Sequence, residues 1–223
     1  MSRSKAFLDF RLDAELETSL REARLGNSEA QYRVAVLLLE CRDARMSAAD
    51  FEKMQAAGLT PEQLNVIRER VKRCAPVVTR VAGDIETAGK RWFEAARRQD
   101  YALSFSQRAV ARESAVTPES LDDVLRNSLI ASRGDMVLRT EALSHVLAAM
   151  DKRSAATGIE ADPILRDAWT VLHCRNWWEC DLEATLAYLE RELKPVELES
   201  VMLAAREIDD ALEKGEWTRV RLH

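Results

Sequence analysis

Residues 89–110 read GKRWFEAARRQDYALSFSQRAV. Trp92, Ala95 and Ala96 fall on one helical face, and the small pair lets a neighbouring helix approach closely. Gln99-Asp100 then reads as a tight turn, with a second helix beyond it. Two other stretches echo this one: residues 22–32, EARLGNSEAQY, and residues 130–142, IASRGDMVLRTEA. In each, an Ala is followed after two residues by Gly or Gln and then by Asn or Asp, with an apolar-rich helix after that. Such recurrence predicts helical hairpins in series, a design whose function lies in the surface it presents.

Composition agrees with helix. The chain has 223 residues, 47% hydrophobic and 32% charged, with only seven Gly and five Pro. Its apolar stock is mainly Leu, Ala and Val, and β-branched runs are scarce, which favours helix over strand. Such a chain is long enough for a sizeable core and too apolar to be disordered. A net charge of −5 with both signs interspersed argues against an extended nucleic-acid footprint. The longest apolar run, Val34 to Leu39, is far short of the ~20 residues of a membrane-spanning helix. The opening MSRSKAFLDFRLDAEL lacks the apolar core of a signal peptide, since Asp9 and Arg11 interrupt it. Export would therefore require a leader that this sequence does not carry.

Element boundaries follow from caps. Leu8, Leu12, Leu16 and Leu20 recur every fourth residue on a first helix stopped near Gly26; Asn27 and Ser28 cap a second carrying Tyr32, Val34, Leu37, Leu38 and Cys41. Ser47 with Asp50 opens a short helix ended by Gly58, and Thr60-Pro61-Glu62-Gln63 opens another carrying Leu64, Ile67, Val71 and Cys74. Pro76 is expected to follow that helix. Thr117-Pro118-Glu119, Asp162-Pro163, Asp181 and Pro195 open further helices, with stops at Gly134 and Gly215. Lys152 to Ala161 reads as the flexible connection.

Ala96 and Ala131 lie 35 residues apart, and Ala23 and Ala96 lie 73 apart. If Cys41 to Pro76 is an inserted hairpin, the first interval shrinks and a period of about 36 emerges, within the range of helix-pair solenoids. Trp92, Ala95-Ala96 and Ala102 in one unit, and Ala23, Gly26 and Ala30 in another, resemble the Sel-one-like repeat family, a relative of the tetratricopeptide repeats. Gln99 departs from it where Gly is usual, and the later Leu-Gly step is absent. The resemblance implies an all-α, right-handed α-solenoid of antiparallel helix pairs. One helical-repeat domain would span 1–223, with a helical hairpin inserted at 41–76 and a C-terminal cap region at 152–223.

Cys41 and Cys74 end two helices on either side of the expected insertion, so a bridge between them would staple its base. The chain-entropy model gives about 3–4 kcal/mol for such a loop. Cys174 and Cys180 bracket RNWWE, a short inter-helix loop that a second bridge would close. Four reduced, buried cysteines are the alternative. A zinc site from His173, Cys174 and Cys180 is a further rival, although the cysteine spacing is not that of a structural knuckle. Paired-cysteine helical repeats resemble secreted or periplasmic proteins of Gram-negative bacteria; the reduced alternative is cytoplasmic.

No nucleophile constellation, phosphate loop or dinucleotide fingerprint is present, so neither catalysis nor a cofactor or metal is expected. His145, beside Val146 and Leu147, reads as a satisfied or exposed helix residue rather than a base. Trp177 and Trp178 are the leading partner-binding candidates, since exposed Trp is enriched at interface hot spots; the alternative is a cap over the end of the solenoid. Tyr101 and Phe105 complete the candidate set, and Trp92 and Trp169 are expected in the core. The expected function is a non-enzymatic scaffold of the bacterial envelope, binding a protein partner through its helical groove or inserted hairpin. An immunity-type inhibitor of a secreted antibacterial toxin, a wall hydrolase with groove carboxylates and a self-associating structural subunit are the alternatives.

Overall fold

The computed structural model describes residues 12–81, 83–111, 118–158, 160–176, 180–220 and 222. Among them all regular structure is helical. The helices are α1 (Leu12–Arg24), α2 (Ser28–Glu40), α3 (Ala48–Ala56), α4 (Pro61–Arg80), α5 (Ile85–Arg98), α6 (Ala102–Ala111), α7 (Pro118–Ala131), α8 (Met136–Thr157), α9 (Pro163–Asn176), α10 (Leu182–Glu192) and α11 (Pro195–Lys214), followed by a 3-10 turn at Trp217–Arg219. The caps act where the side chains place them. Asn27 accepts from the Ala30 amide and Asp135 from that of Leu138, both at 2.9 Å. Ser47 and Thr60 each complete a capping box, satisfying amide donors that a helix start leaves without partners.

The chain forms two compact units, divided at Tyr101/Ala102. In the first, α2 is the hub: it packs on α1 and, most extensively, on α5, while α4 packs on α1 and α3 on α4. Small residues set the α2–α5 approach. Ala35 and Ala96 are buried, and a Cβ on Gly89 would stand 2.9 Å from Leu39 Cγ. Tyr32 fills the space beside them, its ring centroid 5.8 Å from Phe93 and 5.4 Å from Tyr101. A polar chain ties the helix ends together: the Gln99 amide donates to Gln31 Oε1 (2.9 Å), and Gln31 Nε2 donates to the Ala23 carbonyl (3.2 Å).

The recurrent turns resolve into a finer pattern. Gly26, Asp100 and Gly134 all take positive φ, at 92°, 57° and 79°. In the middle turn the left-handed residue is therefore Asp100 and not Gln99, whose φ is −103°. The Tyr101 amide reaches back to the Ala96 carbonyl as the Asn27 amide reaches to that of Glu22. Ala96 thus corresponds to Glu22, one residue away from the match that the Ala spacing suggests. Asp tolerates this conformation better than Gln, which accounts for a turn without its glycine.

In the second unit α6 packs on α7 and α8, α8 on α7 and α9, and α9 on α10 and α11. The core is Leu-rich: Leu103, Leu125, Leu129, Leu138, Leu143, Met150 and Leu172 are buried, as is Trp169. Arg133 closes the far end of α11, donating to the Glu213 carbonyl at 2.6 Å.

Two boundaries differ from expectation. The stretch Lys152 to Ala161 is not a connection throughout: α8 runs to Thr157 and stops at left-handed Gly158. Lys152 donates to the Val110 carbonyl at 2.9 Å and Arg153 pairs with Asp122, so tertiary partners hold a polar segment in helix. Likewise α4 continues through Pro76 to Arg80. Pro76 faces solvent, where the carbonyl it leaves unpaired one turn back is reachable by water, and buried Cys74 and Val77 anchor the helix on either side. Trp92, expected in the core, is half-buried.

Candidate functional site

Both expected cysteine pairs are disulfides. Cys41, the C-terminal cap of α2, joins Cys74 in α4 with Cα atoms 5.3 Å apart; Cys174 in α9 joins Cys180, with Cα atoms 5.0 Å apart. The second bridge takes both thiolates away from the considered zinc set, and among the described residues no group of three His, Cys, Asp or Glu could hold a metal ion. His173, the remaining member of that set, has its pKa lowered by burial.

A polar cluster inside the second unit joins His145 to Ser106, a partner that sequence reasoning missed. His145 lies one turn beyond Ala142 on the inner face of α8, so the helical period carries it into the core with Val146. Its Nδ1 lies 2.7 Å from Ser106 Oγ on α6, and Nε2 lies 3.7 Å from Glu141 Oε2. The Ser106 hydroxyl donates to the Leu103 carbonyl at 3.0 Å. The imidazole must then donate through Nδ1–H to Oγ, leaving Nε2 as the nitrogen that can accept a proton. A general base would need the reverse polarity and an exposed nucleophile, whereas Ser106 is fully buried. Burial holds the His145 pKa down at about 4. The Ser106–His145 pair is thus a buried polar tie between α6 and α8, while the Glu141 carboxylate, 3.7 Å from Nε2, makes no hydrogen bond to the neutral ring. In sequence only the Ala142/His145/Val146 spacing hinted at burial, and nothing pointed to Ser106.

The surface candidates separate. Tyr101 is 9% exposed and spends its ring on Tyr32, so it is a core residue of the first unit and not a surface anchor. Phe105 falls on α6 with its side chain outside the described residues, and Trp177 and Trp178 lie outside them altogether. Large exposed apolar side chains stand elsewhere: Tyr188 on α10 (54%), Val196 (66%) and Leu203 (53%) on α11. On α11 the stripe Val201, Ala205, Ile208 and Leu212 is buried against α9. Val196 and Leu203, seven residues apart, emerge on the opposite face. They were legible in principle, as two apolar residues out of phase with the core stripe. Residues 181–214 carry ten acidic and four basic side chains, a net −6 in a chain of net −5. The acidity of the protein is concentrated on this helix pair.

No protein-family model, curated protein or solved structure matches the chain. The likeness to Sel-one-like repeats rests on the motif residues alone. Among the described residues no helix is long and apolar enough to cross a membrane.

Proposed function

We propose that this chain is a non-enzymatic helical-repeat scaffold of a bacterial envelope, which binds a protein partner through the exposed face of α10 and α11. The partner presents a cationic segment with apolar side chains. The observation that carries this reading is the coincidence of Tyr188, Val196 and Leu203 with the most acidic segment of the chain. Tyr188 is the kind of aromatic side chain that dominates binding energy, Val196 and Leu203 add apolar area, and the carboxylates of the segment supply steering and orientation. Packing of α1 on α2, α6 on α7 and α8 on α7 and α9 supports a scaffold of helix pairs, and two disulfides support an oxidising compartment.

The test is site-specific photo-crosslinking in Gram-negative envelope extract, with the crosslinker placed at Val196, Leu203 or Val66. Val66 on α4 is 52% exposed and serves as a control surface. A discrete protein adduct from Val196 and Leu203, absent from Val66, weakened by salt and abolished by the pair V196D and L203D, is the expected result. Equal labelling from all three positions, or a captured partner with an acidic contact segment, overturns it.

A further inference from the structure

We infer that the Cys174–Cys180 disulfide is a reducible clamp on α10, which a dithiol reductant opens in the folded protein while the Cys41–Cys74 bridge stays closed. This stands apart from the docking proposal and needs no partner.

The two bridges differ in what surrounds them. Cys41 and Cys74 are both fully buried, between the end of α2 and the middle of α4. A reductant reaches those sulfurs only after the first unit opens. Cys174 is also inside, at 3% exposed, but Cys180 is half-buried and sits in the connection just ahead of Asp181, the N-cap of α10. Thiol–disulfide exchange requires access of a thiolate to one sulfur, and Cys180, unlike Cys41, Cys74 and Cys174, is not a buried residue.

The elements differ as well. In α10 only Leu189 is buried, and the helix packs on the end of α9 and only slightly on α11. Thr185 in its first turn touches both sulfurs, 3.4 Å from Cys174 Sγ and 3.7 Å from Cys180 Sγ. One buried side chain, the half-buried Leu182, Thr185 and Leu186, and one covalent bond therefore hold the helix. Segments with so few buried contacts open locally at low cost, independently of the rest of the fold.

The chemistry balances. A thiolate of the dithiol attacks Cys180 Sγ, forming a mixed disulfide while the Cys174–Cys180 bond breaks. Cys174 leaves as a thiolate and takes a proton from water. The second thiol of the reductant, once deprotonated, attacks its own sulfur in the mixed disulfide and expels Cys180 as a thiolate, which is protonated in turn. The reductant is oxidised by two electrons to its disulfide, and the protein gains two thiols.

The test treats the full-length oxidised chain with dithiothreitol under native conditions, quenching with N-ethylmaleimide and locating the label by peptide mass. The expected result is labelling of Cys174 and Cys180 at least about tenfold faster than of Cys41 and Cys74, which react only once denaturant is added. Hydrogen exchange of the Leu182–Glu192 amides is expected to rise at least about tenfold on reduction, with α9 and the first unit unchanged. The variant pair C174S and C180S should show the same exchange without reductant; if it does not fold, the wild-type time course decides alone. Reduction of both bridges at one rate, earlier reduction of Cys41–Cys74, or unchanged exchange in α10 overturns the inference.

Discussion

Acidification tests the buried polar tie directly. His145 has an ordinary pKa of 6.5 when unfolded and about 4 when folded. The unfolded chain therefore binds the extra proton first, and stability must rise with pH through this window. The contribution is complete above about pH 6.5, fades as pH falls, and below about pH 4 has become a loss of about 3 kcal/mol. Between pH 7.5 and 5 linkage gives a loss of about 2 kcal/mol from this one group, or about 4–8 °C in unfolding midpoint. Other carboxylates and His173 titrate too, so the quantity to measure is the difference in slope between wild type and His145→Gln by calorimetry across that range. Gln can keep a donor toward Ser106 Oγ and cannot titrate; a constant offset between the proteins is immaterial. If both lose stability in parallel, His145 is not the titrating group. A wild type that gains stability on acidification relative to the variant would mean that Glu141 outweighs burial and that the assigned polarity of the pair is wrong.

Three further outcomes follow from packing and backbone geometry. Gly89→Ala gains up to about 1 kcal/mol of helix propensity, yet its Cβ meets Leu39 Cγ at 2.9 Å. Overpacking of that kind costs about 1–3 kcal/mol, so denaturant titration should show net destabilisation. Asp100→Gly relieves a non-glycine positive φ and should stabilise by about 0.5–1 kcal/mol, whereas Gln99→Gly should destabilise; the opposite order would restore the Ala-based register. Replacing Cys41 and Cys74 together by Ala should cost about 3–4 kcal/mol of unfolding free energy in guanidinium titration, with helix content by circular dichroism retained at low temperature.

Much of the fold was legible because its signals are local. Asn27, Ser47, Thr60 and Asp181 each cap a helix within three residues of themselves, and Gly134 and Gly215 mark turns that need positive φ. The cysteine pairing was legible too, because each pair flanks elements that short turns bring back on themselves. Helix ends fixed by distant partners were not. Nothing near Lys152 announces the Val110 carbonyl, and nothing near Pro76 reveals that the carbonyl it orphans faces water.

The sequence by itself therefore determined the helical class and most caps, and made the two bridges the expected cysteine pairing, since a 3.6-residue period and a capping side chain act over a few residues. Only the tertiary structure decided that the chain divides at Tyr101/Ala102, that Tyr101 belongs inside and that His145 meets Ser106 across 39 residues of chain. It also decided that α11 turns Val196 and Leu203 outward and leaves Cys180 within reach of solvent. Burial and exposure are properties of pairs of elements, and the choice among possible pairings depends on how whole faces fit.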